Sequence, residues 1–331
     1  MKKIRAVLVG AAMAIGISSS ALAADFTMKV GFATMNDIQH QWGNWFKETV
    51  EARSNGRIEV KLFPRNQLGT IASQIEGLQL GTVEAFVSPV DFFAGVDPRF
   101  GTFSIPVLFR DPVHAEKILL DPAMNKEILA LGADKGMQIG SIFTYATAHY
   151  FGKQPIRSLD DFKGKKLRVN ATAAERAKMR QFGASAVPMD LSEVVPGLQQ
   201  GVIDGTQSAT AIYVNLKFNE IGKTITQVND TMVISVAALS RAFLTKLPAD
   251  LRAMVIEEAG KLQPRLTEHS RLLDDQMRKR WTESGGEFVS LSTADQARVR
   301  QLLAGIGDEV TKDNPAANAF YKRLQSTAQK Y

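Results

Sequence analysis

Apolar Phe26, Met28, Val30 and Phe32 alternate with polar or small neighbours along residues 26–32, the period of a half-buried strand. Trp42, Trp45, Phe46 and Val50 then recur at helical spacing within 39–53, and Ser54-Asn55-Gly56 ends that helix with residues that tolerate positive φ. A second strand over 57–63 stops at Pro64, a short helix over 71–80 stops near Gly81, and a strand over 84–88 stops at Pro89. Polar groups just beyond Pro89 would sit at a strand's carboxyl edge, where open α/β sheets bind ligands.

A second series begins after Gly136. The pattern predicts strands over 137–143, 147–151, 167–170 and 203–207, a helix over 173–182, and strand segments within 224–238 that return toward the first series. This alternation of strand and helix argues a second α/β lobe. From Pro248 the pattern is helical, with an apolar stripe at Leu262, Leu266, Leu272, Leu273 and Met277. Pro264 interrupts it, so a kink or break is expected rather than one rod; a helix of about 30 residues would reach roughly 45 Å, enough to run along both lobes. A strand over 287–291 and helices over 293–306 and 316–328 complete the chain.

The amino terminus changes this picture. Lys2, Lys3 and Arg5 precede an apolar run over 6–17, then Ser18-Ser19-Ser20 and Ala21-Leu22-Ala23, the layout of a secretory signal (1–23) cut after Ala23. The run is too short to span a bilayer, and no later segment is long and apolar enough. With no cysteine in the chain, disulfides, thiolate metal sites and lipid attachment through a terminal cysteine are excluded. The formal charge of +6 includes the three basic residues of the signal, so a mild +3 remains, no argument for nucleic acid. The Lys163, Lys165 and Lys166 cluster reads as a solvated turn before a strand. The four histidines, His40, His114, His149 and His269, are far apart, and there is no nucleophile elbow, phosphate loop or calcium loop. Neither a cofactor nor a catalytic centre is expected.

Arg168 is the residue that carries chemistry. On a strand it shares a face with Lys166 and Asn170 while Leu167 and Val169 take the other, so beside apolar neighbours its guanidinium must find an acid or reach solvent. Two readings are open: its planar fork grips a ligand carboxylate, or it pairs with an internal acid such as Glu193. Glu193 itself follows Ser192 at a helix start, where a carboxylate is also at home without any ligand.

The run Asp160-Asp161-Phe162-Lys163-Gly164-Lys165-Lys166-Leu167-Arg168-Val169, followed by Phe182-Gly183-Ala184, Val187-Pro188-Met189, Ser192-Glu193 and Leu198-Gln199-Gln200-Gly201-Val202-Ile203-Asp204-Gly205, closely resembles the solute-binding subunit of tripartite ATP-independent periplasmic (TRAP) transporters, the DctP-like family. Gln67-Leu68-Gly69, Ile105-Pro106-Val107-Leu108-Phe109-Arg110 and Leu247-Pro248-Ala249-Asp250-Leu251 extend the resemblance along the chain after the signal. It implies an α/β, two-lobed periplasmic binding protein fold with discontinuous lobes (24–145 plus 234–273, and 146–233 plus 274–331), an interlobe cleft and a long connecting helix. It implies that Arg168 grips a substrate carboxylate, that Gln207 and Ser208 follow where the family touches ligand, and that Leu191 and Ser235 are cleft positions. Thr34, Asn36, Trp42, Ser88, Asp91 and Phe92 are first-lobe wall candidates, and Asn170 shares the face of Arg168. Where many members have a second arginine, about twenty residues earlier, this chain has Ala148 beside His149. One fixed charge favours a monocarboxylate, with His149 as a pH-dependent second contact unless strand alternation turns it away. The implied partners are a small organic acid and the membrane permease. A periplasmic sensor component, or an enzyme acting on a small acid, are the alternatives.

Overall fold

The computed structural model describes residues 24–170 and 172–331; the expected signal lies outside them. Eleven strands form two sheets: β1 (Phe26–Phe32), β2 (Ile58–Phe63), β3 (Ala85–Pro89), β4 (Met137–Thr147), β5 (His149–Gly152), β6 (Lys166–Val169), β7 (Ser185–Pro188), β8 (Gly205–Ser208), β9 (Thr224–Gln227), β10 (Met232–Ser240) and β11 (Glu287–Ser290). The first sheet has the order β2-β1-β3-β10-β4, the second β11-β9-β5-β8-β6-β7. In the first, β1 runs parallel to β2 and β3, as βα units require; in the second, β6 runs parallel to β7 and β8.

The chain crosses between the sheets three times. Ala148 alone separates β4 from β5, residues 228–231 separate β9 from β10, and the helix Gln263–Glu283 ends just before β11. The arrangement is therefore α/β with two sheets joined by crossing strands and a long helix. That helix follows Ala249–Lys261 with a break at Leu262, and Pro264 sits in its first turn. The proline has no N–H for the carbonyl of Gly260 four residues earlier, so the helix must restart there.

Elsewhere the pattern-based elements hold to within a residue or two, except that β4 runs on to Thr147, past the expected end at Phe143. The helix Ile71–Leu80 ends on a left-handed Gly81, and Ala173–Gln181 begins on a Thr172 and Glu175 capping box. The stretch read as one helix over 293–306 is two, Thr293–Leu303 and Ile306–Thr311. Two helices between Asp111 and Leu129 had no counterpart in the sequence reading. Both start with aspartate then proline, and Asp111 and Asp121 accept from the N–H groups of His114 and Met124. Those caps were a legible signal.

Gly205 shows how tightly the second sheet closes. A Cβ there would lie 2.3 Å from the Phe151 carbonyl oxygen and 2.9 Å from Leu167 Cδ2. Because the nearer obstacle is backbone of a paired strand, Gly205→Ala is expected to destabilise the fold by about 1–3 kcal/mol, the range for overpacking. A urea midpoint equal to the parent's would show that β8 can move away from β5.

Candidate functional site

Between the sheets lies a cleft of about 640 Å³. Carboxyl ends of strands from both sheets face it: Ala33 and Thr34 after β1, Pro89, Asp91 and Phe92 at and after β3, Arg168 and Asn170 at the end of β6, Leu191 after β7, and Gln207, Ser208 and Ala209 from β8 onward. The crossing segments add Tyr145, Ala148 and Thr231 to Val233. Asn170 Nδ2 donates to Asp91 Oδ2 (3.1 Å), and Asn66 Nδ2 and the Ile71 N–H donate to Asp190 (both 3.1 Å), so hydrogen bonds span the cleft at two places.

Arg168 sits in the middle of three parallel strands, registered with Val187 on β7 and Thr206 on β8. It is only 3% exposed. Its Nε donates to the Met189 carbonyl (3.0 Å), while its two terminal nitrogens make no hydrogen bond or ion pair with any described residue. Phe92 lies 6.0 Å from the guanidinium carbon, ring centroid to Cζ. Burial lowers the Arg168 pKa, opposed by Glu175, Asp190 and Asp91. This is a charged fork, aimed into a cleft, with its terminal donors unused.

The acids around it differ in their engagements. Glu175 accepts from the Asn170 N–H (3.1 Å) and from the N–H and hydroxyl of Thr172 (both 3.0 Å). Asp91 is half-buried, and burial first, then the Glu175 carboxylate, push its pKa up to about 7. Beneath the cleft, Lys178 and Asp230 form an ion pair at 3.0 Å with both side chains fully buried. Lys178 Nζ also donates to Gln207 Oε1 and Thr231 Oγ1 (both 2.8 Å), and Tyr150 donates to Asp230 (2.8 Å). Every donor of that ammonium is matched, the condition under which a buried ion pair is tolerated.

Residues 30–313 match the DctP family, described as bacterial extracellular solute-binding protein, family 7. The chain belongs to this family. It is 27% identical over 314 residues, 93% of each chain, to the 2,3-diketo-L-gulonate-binding periplasmic protein YiaO of Escherichia coli K12. It is 28% identical over 324 residues, 94% of each chain, to the C4-dicarboxylate-binding periplasmic protein DctP of Rhodobacter capsulatus. A TRAP periplasmic solute-binding protein from Haemophilus influenzae, solved with bound L-gulonate, superposes with a TM-score of 0.85 at 25% identity, covering 91% of this chain and 99% of that one.

In this solute-binding protein seven of the expected contact residues line the cleft: Arg168, Asn170, Leu191, Gln207, Ser208, Asp91 and Phe92. Four do not. Trp42 is core, stacked on Phe46 at 4.4 Å with its Nε1 donating to Ser141. Ser88 is fully buried on β3, one residue short of the cleft-lining Pro89. Ser235 shares a face with Val233 but is covered by Gln39, whose Nε2 donates to it (2.9 Å). His149 faces away, as alternation from cleft-lining Ala148 dictates, and packs against Phe288 and Arg278. Thr34 lines the cleft and Asn36 does not.

Glu193 does not pair with Arg168; its carboxylate accepts from the Asp190 N–H (3.2 Å) in a capping box. Glu175 and the pair of Lys178 with Asp230 escaped the sequence reading. Thr172-x-x-Glu175 is a capping-box signature, but only the fold shows that this carboxylate also faces a cleft.

Two titrations test this geometry. Burial, then Arg278, depress the His149 pKa to about 4. Its ring should stay neutral at pH 5 by NMR, and a midpoint near 6.5 would place it in solvent. A carboxyl whose folded pKa is raised stabilises the fold below its unfolded pKa and loses that contribution as pH rises through the folded value. In the ligand-free protein Asp91 therefore contributes a fall in stability between about pH 4 and 7. Asp91→Asn should reduce the drop in melting temperature between pH 5 and pH 8; an unchanged drop would mean that Asp91 titrates as in water.

Proposed function

We propose that this chain is the periplasmic solute-binding subunit of a TRAP transporter, that it captures a small organic monocarboxylate on Arg168, and that it delivers it to the membrane permease. The observation that carries this reading is the buried Arg168 fork with unused terminal donors in a cleft between two sheets. A carboxylate can accept two parallel N–H bonds from such a fork and neutralise a charge that burial makes costly. The relatives' ligands support the carboxylate grip, though not the choice of one carboxylate over two, since 2,3-diketo-L-gulonate, L-gulonate and C4-dicarboxylates all carry a carboxylate.

The single-carboxylate preference rests on charge. Ala148, where a second cation was sought, offers none, and Lys178 is already paired with Asp230. A ligand gripped by Arg168 and touched by Ala33, Thr34 and Phe92 across the cleft would favour approach of the two lobes by differential affinity. The resulting composite surface is what a permease would read. We place the protein in the periplasm after cleavage at Ala23, and assign it no catalysis.

Thermal-shift screening of protein refolded to strip ligand, against monocarboxylates, dicarboxylates and sugar acids, tests the proposal. The parent should shift with a carboxylate class. Arg168→Ala should weaken that binding by about 30-fold or more, the usual cost of truncating one partner of a buried charge pair. Because the ligand-free cation has no ion pair, the variant should keep the parent's ligand-free melting temperature or exceed it. Equal shifts in parent and Arg168→Ala would overturn the assignment.

A further inference from the structure

The cleft carries more acid than base. Asp91 and Glu175 line it together with Arg168, the only lysine or arginine to do so among the described residues, while Lys178 is held by Asp230 beneath. The two carboxyl groups are neighbours, because Asn170 donates its side-chain amide to Asp91 and its backbone N–H to Glu175. A ligand carboxylate on Arg168 brings one more negative charge into this space. A second carboxylate on the ligand would face Asp91 and Glu175 in a site with few free counter-charges, a repulsion that discriminates against dicarboxylates.

The neutral polar side chains narrow the choice further. Thr34 and Tyr145 donate to Asp37, Gln39 to Ser235 and Asn170 to Asp91, and the single Ser104 hydroxyl proton lies within reach of both the Gly101 carbonyl and Thr172 Oγ1. Gln207 and Thr231 accept from Lys178. Among the neutral polar lining residues, Ser208 alone has a side chain without a hydrogen bond to a described residue. A polyhydroxylated acid would have to share partners that the protein already engages, and the rest of the wall offers charge at two places and aliphatic or aromatic surface at Ile71, Phe92, Leu191, Ile212 and Met232.

Resting on the carboxylate assignment above, we propose that the cleft selects a small zwitterionic acid, with its carboxylate on Arg168 and an ammonium or amidinium group directed to Asp91 and Glu175. Burial, and then the neighbouring Glu175 carboxylate, raise the Asp91 pKa, as fits a carboxyl pair that lacks a close counter-ion. The groups facing Asp91 are Glu175 and Lys178 on the helix Ala173–Gln181 and Arg168 on β6, with Asn170 hydrogen-bonding to it and the Ser104 hydroxyl nearby. Arrival of a cation would drive off its proton.

Calorimetry on ligand-stripped protein with matched triads tests this: 4-aminobutanoate, pentanoate and glutarate differ only in an ammonium, methyl or carboxylate end. The same triads one carbon shorter and one longer cover the unknown span, and gluconate represents the polyhydroxy acids. The best zwitterion should bind about 10- to 100-fold more tightly than its methyl-ended analogue, the worth of a charge-assisted hydrogen bond. Asp91→Asn and Glu175→Gln should each shrink that ratio by about tenfold, and titrations in buffers of different ionisation enthalpy should show proton release at pH 7. If gluconate, pentanoate or glutarate binds in an Arg168-dependent way and no zwitterion binds more tightly, the zwitterion proposal fails and the carboxylate assignment stands. If no acid binds the parent better than Arg168→Ala, both fall.

Discussion

A cation has been taken out of water at Arg168 and given only one backbone carbonyl in return. Such a group raises the free energy of the folded chain unless a counter-charge arrives, and no described carboxylate comes within ion-pair distance. Much of the surrounding structure keeps it in that condition. β7 and β8 flank its strand, the Met189 carbonyl orients the fork, and Glu175, Asp190 and Asp91 moderate its charge from farther away. The capping duties of Glu175, Asp190 and Glu193 hold those carboxylates at helix starts, so they cannot swing over to pair with it. A binding site is thereby built as a deficit that a ligand fills.

The architecture places this deficit where two bodies meet. Strands of both sheets end at the cleft, and three chain crossings join them. Few covalent connections between two sheets allow relative motion about the crossings, which is how a ligand touching both sides can bias one arrangement. The ion pair of Lys178 and Asp230 contributes rigidity on one side: it ties the helix Ala173–Gln181 to the crossing before β10 and fixes the cleft-lining Gln207 and Thr231 from below.

Strand and helix identity was legible in the chain because period, caps and breakers are local. Alternation through 26–32, the Gly81 stop and the Pro264 break each act within a few residues. Arg168 was legible too, since an arginine between Leu167 and Val169 on a short strand demands a partner wherever the strand lies. The family motifs located Gln207, Ser208 and Leu191 beside it. The helices following Asp111 and Asp121 were missed although their caps were present, because each is short and only Asp121 separates them.

What the sequence could not decide is which side chains look into the same space. Trp42, Ser88 and Ser235 have the chemistry of ligand contacts, yet packing turns or covers them; His149 differs from Ala148 only by one step of strand alternation. Asp91 and Glu175 stand far apart in the chain and become neighbours only through Asn170; burial first, and then this proximity, raise the Asp91 pKa. Local patterns thus determined the elements, their ends and one obligatory cation. The charge balance of the cleft, and with it the choice of ligand, was left to tertiary structure, because electrostatic energy depends on distance through space and on exclusion of water, neither of which is written in spacing along the chain.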